Sequence, residues 1–147
     1  MMTVDNSETH SLPPFAPQNA RLLMLGSFPP PRERWKMDFY YPNIQNDMWR
    51  IFGLVFFDDR EYFVSADGKG FREAAIRDFL TEKGIAISDT AHRIRRLQGN
   101  AADKSLQILE PLDLAALLTR LPRCHAILTT GELATHTLLA LLPPDAV

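Results

Sequence analysis

Residues 21–49 read RLLMLGSFPPPRERWKMDFYYPNIQNDMW, and this stretch decides the class of fold that the sequence predicts. Its apolar start, 21–26, indicates a buried strand that ends in Gly-Ser. A Pro-rich loop with aromatic rings, amides and cations follows, and we expect Asn46 to cap the helix after it. In an open α/β sheet, ligands bind beyond the carboxyl ends of the strands. The loop is therefore a candidate binding site for a planar heterocycle attached to a phosphate backbone.

Beyond this stretch the sequence alternates apolar runs with helical patterns. The predicted strands cover 22–25, 85–88 and 126–129. The predicted helices cover the segment after Asn46 and residues 71–83, 112–121 and 132–142. Short apolar strands separated by helices are typical of a parallel sheet that is buried on both faces. We therefore expect these strands to be adjacent and parallel, with the first in the middle and Gly26, Asp89 and Thr130 at one rim.

Composition and charge are those of an ordinary soluble globular protein. The chain has 147 residues, of which 46% are hydrophobic and 23% are charged, enough for one compact domain with a real core. We expect that domain to cover 20–147, after a polar, Pro-punctuated N-terminal arm at 1–19. A net charge of −2 argues against bulk electrostatic capture of nucleic acid but leaves room for a local basic face.

The sequence carries no sign of a membrane or secretory protein. Its start has no basic segment followed by an apolar core, so it does not resemble a secretory signal. No apolar run approaches the length that spans a membrane. Cys124 is the single cysteine, which excludes an internal disulfide and fits a reducing compartment. These features predict a cytoplasmic protein that does not contact a membrane.

Two motifs in the first loop each allow a structural and a functional interpretation. The turn at 26–30 could simply end a strand and rigidify a loop. It could also let a base or sugar approach the backbone while Phe28 offers a ring face for stacking. Asn46 could be only a helix cap, or it could hold a water or an anion at the helix N-terminus. Asn43, in the same loop, is equally ambiguous.

Asp89 ends the second predicted strand and should point into the same crevice, although a cap for the next turn is the simpler interpretation. The cationic run after it consists of His92, Arg93, Arg95 and Arg96. Such a run is usually a solvated face, and the alternative is a phosphate-contacting loop at the sheet edge. The spacing of the histidines and Cys124 matches no metal-site pattern, so the sequence predicts no metal.

Several segments together resemble the uracil-DNA glycosylase superfamily, and most closely its hypoxanthine/uracil-type branch. LMLGSFPP at 23–30 and FYYPNIQNDMW at 39–49 correspond to the branch's GSFPS and YYxHPxNxFW patterns. GIAISDT at 84–90 and AILTTGELA at 126–134 are similar to its second-strand and third-strand segments. The spacing within the second pattern equals that of the family, which puts Asn46 at the family's asparagine.

The resemblance implies a three-layer α/β/α sandwich around a parallel sheet, with four strands in the family and three visible in this chain. It implies a monofunctional DNA glycosylase that hydrolyses the N-glycosidic bond of uracil or hypoxanthine flipped out of DNA, and so initiates base excision repair. The branch works without a metal or a cofactor. By resemblance, Asn46 is the catalytic residue that positions the water, and Phe28 stacks on the base.

The resemblance also implies the rest of the site. The other base-binding residues would be Gly26, Ser27, Tyr41, Asn43, Met48, Asp89 and Thr130. The contacts to DNA phosphates would come from Arg32, Arg34, Arg93 and Arg95. The partner would be DNA that contains a damaged or mismatched base, bound by a monomer.

This chain departs from the family pattern in several places. Met48 replaces a phenylalanine, Asn43 stands where the family has a histidine, and Thr130 replaces an asparagine. The chain also lacks the family's last strand and its Ser/Pro-rich loop, so we expect the native gene product to extend beyond Val147. A non-catalytic nucleotide- or DNA-binding module of the same fold is the alternative function. A small-molecule α/β enzyme is a third class, disfavoured because no catalytic triad or phosphate-loop pattern is present.

Overall fold

The computed structural model describes residues 6–97 and 106–145 of the chain. Residues 1–5 of the predicted arm, 98–105 after the cationic run, and the last two residues lie outside the described part. Within that part, no helix is long and apolar enough to cross a membrane.

The described residues form six strands and four α-helices. The strands are β1 (Ser7–Thr9), β2 (Leu22–Gly26), β3 (Ile85–Asp89), β4 (Ala91–Arg96), β5 (Leu106–Pro111) and β6 (Ala126–Thr129). The α-helices are α1 (Met48–Phe57), α2 (Glu73–Lys83), α3 (Leu114–Thr119) and α4 (Glu132–Leu141). The chain divides into two compact units, residues 1–28 with 84–147 and residues 29–83. The first unit contains both sheets, and the second contains α1 and α2. The prediction of a single domain over 20–147 stays a prediction.

The parallel sheet is confirmed with the strand order that the sequence predicts. β2 lies between β3 and β6 and is parallel to both. The register pairs Gly26 with Asp89 and Leu25 with Thr129, so the carboxyl ends of all three strands lie at the same level. β3 is buried along its whole length, which explains why its sequence is uniformly apolar up to Ser88.

One face of the parallel sheet is covered by α3 and α4. Leu23 and Leu25 of β2 share a buried cluster with Leu117 of α3 and Leu138 of α4. α3 begins two residues later than the predicted start at 112, because Asp113 is its N-cap and accepts the amide of Ala116 at 3.1 Å. The packing confirms a mixed α/β fold, and the three-layer arrangement stays a prediction.

The antiparallel sheet is not predicted by the sequence. It contains β1, β4 and β5 in the order β1-β4-β5. β4 contains the cationic run, which the sequence predicts to be a solvated face or a phosphate-contacting loop. Within β4, only Ala91 and Ile94 are buried. The pairing with β5 shifts register between Ala91 and Arg93 and again between Arg93 and Ile94. These irregularities break the alternation of inward and outward residues from which a strand is recognised.

The described part of the predicted N-terminal arm pairs with two strands. β1 is antiparallel to β4, with Thr9 opposite Arg93. Further along, Phe15 exchanges two backbone hydrogen bonds with Ile87 of β3, at 2.8 and 2.9 Å. The physical reason is that β3 and β4 have backbone donors and acceptors on this side, and a neighbouring chain segment satisfies them.

The second unit is built around aromatic rings. Trp49 of α1 and Phe63 are fully buried, and the ring of Phe79 on α2 lies 4.9 Å from that of Phe56. α2 begins at Glu73 and not at the predicted residue 71, because Phe71 forms an isolated β-bridge with Val64.

Candidate functional site

The carboxyl ends of the parallel strands form one rim, as the strand pattern predicts. Gly26 lies opposite Asp89 in the register of β2 and β3. Thr130 follows β6 and donates its amide to the carbonyl of Leu25 at 2.9 Å. The structure thus brings Gly26, Asp89 and Thr130 together, while their role in binding a base stays a prediction.

Backbone hydrogen bonds fix the turn after β2 to the segment after β3. The amide of Thr90 donates to the carbonyl of Gly26 at 2.7 Å, and the amide of Ala91 donates to the carbonyl of Ser27 at 3.1 Å. Ser27 and Thr90 are both buried. The hydroxyl of Thr90 has no hydrogen-bond partner among the described residues.

Asp89 is paired with His10, a residue of the predicted N-terminal arm. The Nε2 atom of His10 lies 2.6 Å from Oδ2 of Asp89, and the two side chains are 5% and 8% exposed. The antiparallel register produces this contact, because β1 runs back along β4 and the amide of His10 donates to the carbonyl of His92 at 2.7 Å. In the sequence, only Asp89 itself indicates such a pair, because a carboxylate at the end of a buried strand needs a hydrogen-bonding partner.

Phe28 is part of the same group of side chains. Its ring meets the ring of His10 edge to face, with 5.2 Å between centroids. The guanidinium of Arg96 lies 5.6 Å from the centroid of Phe28, and its Nε donates to Oε2 of Glu8 at 2.7 Å. We call Glu8, His10, Phe28, Asp89 and Arg96 the rim cluster. Arg96 therefore covers one face of the Phe28 ring, so this face is not available for stacking.

The two predicted phosphate contacts of the first unit lie on β4 and not in a loop. Arg93 forms an ion pair with Glu110 of β5 at 3.7 Å, and Nη1 of Arg95 donates to Oε1 of Gln107 at 3.2 Å. Both arginines are partly exposed. Their charges are therefore held on the surface of the antiparallel sheet, where a phosphate would have to compete with these partners.

Asn46 lies in the second unit, just before α1. It is exposed, and its Oδ1 accepts the amide of Met48 at 2.8 Å. The structural N-cap is Asp47, whose own side chain makes no capping bond. The expected cap is thus displaced by one residue, while the side chain of Asn46 still satisfies the first amide of the helix.

The loop before Asn46 is held by local hydrogen bonds. The carbonyl of Asn43 accepts the amide of Asn46 at 2.9 Å, and Oδ1 of Asn43 accepts the amide of Gln45 at 3.3 Å. Tyr41 has a positive φ of 53°, a conformation that non-glycine residues rarely adopt. Its ring packs edge to face on the buried indole of Trp49, at 5.9 Å between centroids. The turn from Tyr41 to Asn46 is therefore anchored on α1.

A polar cavity of about 450 Å³ opens beside this turn. It is lined by Glu33, Arg34, Lys36, Asn43 and Gln45. Arg32, next to it in the chain, forms an ion pair with Asp38 at 2.8 Å and lies over the ring of Trp35. Arg34 is exposed and has no side-chain partner among the described residues. Of the four predicted phosphate contacts, Arg34 is thus the one whose guanidinium makes no side-chain contact in the described part of the chain.

Comparison with known proteins gives a likeness of fold. No protein-family model matches the chain, and no curated protein matches it. The structure is similar to the solution NMR structure of "a putative Uracil DNA glycosylase" from Methanosarcina acetivorans, with a TM-score of 0.67 and 22% sequence identity. The match covers 90% of this chain and 76% of that chain. At this identity the likeness establishes the fold: the chain has an α/β fold of the kind found in that protein.

Proposed function

We propose that this chain is a DNA glycosylase that hydrolyses the N-glycosidic bond of a deaminated base, uracil or hypoxanthine, in DNA. The observation that carries the proposal is the position of the turn Gly26-Ser27-Phe28, directly at the carboxyl end of the central parallel strand. In a sheet of this type that position is where ligands bind. The fold likeness to the Methanosarcina protein supports the same assignment.

The chemistry needs a group that orients water and a surface that holds the extruded base. A base can leave as a stabilised anion, so the attacking water needs orientation more than deprotonation. In this proposal the amide of Asn46 orients the water, and Phe28 stacks on the base. Gly26, Asp89 and Thr130 contribute at the rim. The reaction needs no metal or cofactor, and the protein acts as a monomer that initiates base excision repair.

The remaining predicted residues have supporting roles in the proposal. Tyr41, Asn43 and Met48 shape the loop that carries Asn46, and the arginines contact phosphates. A three-layer sandwich and the hypoxanthine/uracil-type branch of the superfamily are the finer parts of the same proposal.

The test of the function is base excision from synthetic duplexes. Oligonucleotides carrying uracil, hypoxanthine or a thymine mismatch are incubated with the protein, and abasic sites are then cleaved with alkali. We expect strand cleavage at uracil or hypoxanthine and none in the undamaged duplex. Binding of the modified duplex without cleavage would replace the proposal by the non-catalytic DNA-binding module of the same fold.

Phe28→Ala is expected to weaken the binding of a uracil-containing duplex by about 1–3 kcal/mol, the range for one base–aromatic stack. The measurement is the dissociation constant by fluorescence anisotropy. Phe28→Leu keeps apolar volume beside His10 but removes the ring, so it should lose nearly as much affinity. If the leucine variant binds as tightly as the original, Phe28 acts by filling space and the stacking role is wrong.

Arg34→Ala is expected to weaken DNA binding equally for damaged and undamaged duplexes. Arg34 is the predicted phosphate contact without a competing side-chain partner in the described structure, so its removal should reduce the slope of log K against log salt by about 1. The matched control is Arg120→Ala, at an exposed arginine outside the predicted contacts. An equal change of slope in both variants would mean that only total charge matters.

A further inference from the structure

We propose that Asp89 is a specificity-determining residue that accepts the ring N–H of the extruded base, and that His10 is the positioning residue that aims its carboxylate. This inference rests on the proposed function and adds the group that recognises the base. It starts from the buried contact of 2.6 Å between Nε2 of His10 and Oδ2 of Asp89.

The hydrogen bonds of His10 fix which ring nitrogen carries the proton. The amide of Leu12 donates to Nδ1 of His10 at 3.1 Å. A backbone amide can only donate, so Nδ1 must present its lone pair. The ring proton is therefore assigned to Nε2, which donates it to Oδ2 of Asp89. In this arrangement Oδ2 of Asp89 is the acceptor for His10.

The second oxygen of Asp89 is the atom that would meet the base. Oδ1 receives no hydrogen bond within the described residues. It is also not fully buried, because the fully buried side-chain atoms that lack a partner there do not include it. Asp89 stands opposite Gly26 in the sheet register, so no side chain at that register position of β2 competes for the space. Since His10 occupies Oδ2, Oδ1 is the oxygen of the Asp89 carboxylate that remains for a ligand.

The rest of the rim cluster limits how His10 can move. Its ring is 5% exposed and packs edge to face against Phe28, while the antiparallel pairing of β1 fixes its backbone. The Asp89 carboxylate therefore meets a donor whose own orientation is set by the fold. A fixed acceptor discriminates better than a mobile one, because a misplaced partner leaves a buried charge unpaired.

Uracil and hypoxanthine share the group that this acceptor would recognise. Deamination converts the ring nitrogen on the Watson–Crick edge from an acceptor in cytosine or adenine into an N–H donor in uracil or hypoxanthine. A methyl group on that nitrogen removes the donor and leaves the base otherwise similar. A duplex carrying N3-methyluracil is therefore the matched probe for a duplex carrying uracil.

The experiment measures the dissociation constants of the uracil duplex and the N3-methyluracil duplex and takes their ratio. Both duplexes carry a 2′-fluoro sugar at the modified base, which prevents cleavage of the glycosidic bond. We expect the protein to bind the uracil duplex about ten- to a hundredfold more tightly than the N3-methyluracil duplex, the range for one hydrogen bond to a charged group. In His10→Phe, which keeps a ring beside Phe28 but removes the donor, the ratio should fall about tenfold. His10→Gln, which places an amide N–H near the position of Nε2, should restore part of the ratio.

A second measurement does not depend on DNA. Nitrogen-15 NMR of the histidine side chains should show Nδ1 of His10 unprotonated and Nε2 protonated in the free protein. The opposite tautomer, or a ratio that is unchanged in a folded His10→Phe variant, would overturn the positioning role. Equal binding of the two duplexes by the original protein, with uracil excised from the unmodified substrate, would overturn the inference alone. Failure to bind or excise either base would overturn the proposed function and this inference with it.

Discussion

Asn46→Ala is expected to reduce base excision from uracil- or hypoxanthine-containing duplexes on the order of 10²-fold, the loss that follows when a reacting group is misplaced. The amide orients the attacking water in the proposed reaction, and no carboxylate replaces it. The protein should remain folded, because Asn46 is exposed and its one side-chain bond in the described structure goes to the amide of Met48. Loss of that bond should cost about 1 kcal/mol of stability. Single-turnover excision rates and urea unfolding give the two numbers.

Asn46→Asp separates chemistry from helix capping. Aspartate keeps an acceptor for the amide of Met48, so the stability should stay near that of the original protein. A lower excision rate in this variant then reports the loss of the amide. Gln45→Ala, at the exposed neighbour, is the matched control and should excise normally. Near-normal excision by Asn46→Ala would contradict the assignment and direct attention to Asp89 and Asn43.

The parallel sheet could be predicted because its central strands are buried on both faces. β2 and β3 are buried nearly throughout, and such strands give short apolar runs whose direction follows from the helices between them. The same logic places Gly26, Asp89 and Thr130 at one rim, since parallel strands end on the same side. The parallel sheet and its rim could thus be predicted because uniformly apolar runs separated by helices have one structural interpretation.

The antiparallel sheet could not be predicted, because its strands do not alternate regularly. The register shifts in β4 put Ala91 and Ile94 inside at a spacing of three, and the arginines between them are typical of a solvated segment. β1 has only three residues, none of them a large apolar side chain. Its position is decided by pairing with β4, which is a tertiary effect without a local signal.

For the same reason the sequence missed His10. A lone histidine in a polar segment gives no sign of its partner, and Asp89 is 79 residues away along the chain. By contrast, the contacts of Asn46 are local: its bond to Met48 spans two residues, and a cap of this type can be expected from sequence. Local hydrogen bonds of the candidate site were thus accessible to prediction, and the long-range pair was not.

Trp49→Ala is expected to cause a large loss of stability, about 3–5 kcal/mol in the free energy of unfolding. The side chain is fully buried, and its indole packs against the rings of Phe39, Tyr41 and Phe52. Its Nε1 donates to the carbonyl of Tyr40 at 3.0 Å. Alanine would leave a cavity and an unpaired carbonyl at the same place. Urea unfolding followed by far-UV circular dichroism measures the change.

Two variants identify the source of this loss. Trp35→Ala removes the other tryptophan, which is only partly buried and whose Nε1 donates to the carbonyl of Pro30 at 2.8 Å. It should cost clearly less, because less apolar surface leaves water at that site. Trp49→Phe keeps most of the ring packing but leaves the Tyr40 carbonyl unpaired, so about 1–3 kcal/mol is expected. Equal losses at Trp35 and Trp49 would contradict the view that Trp49 anchors the loop leading to Asn46.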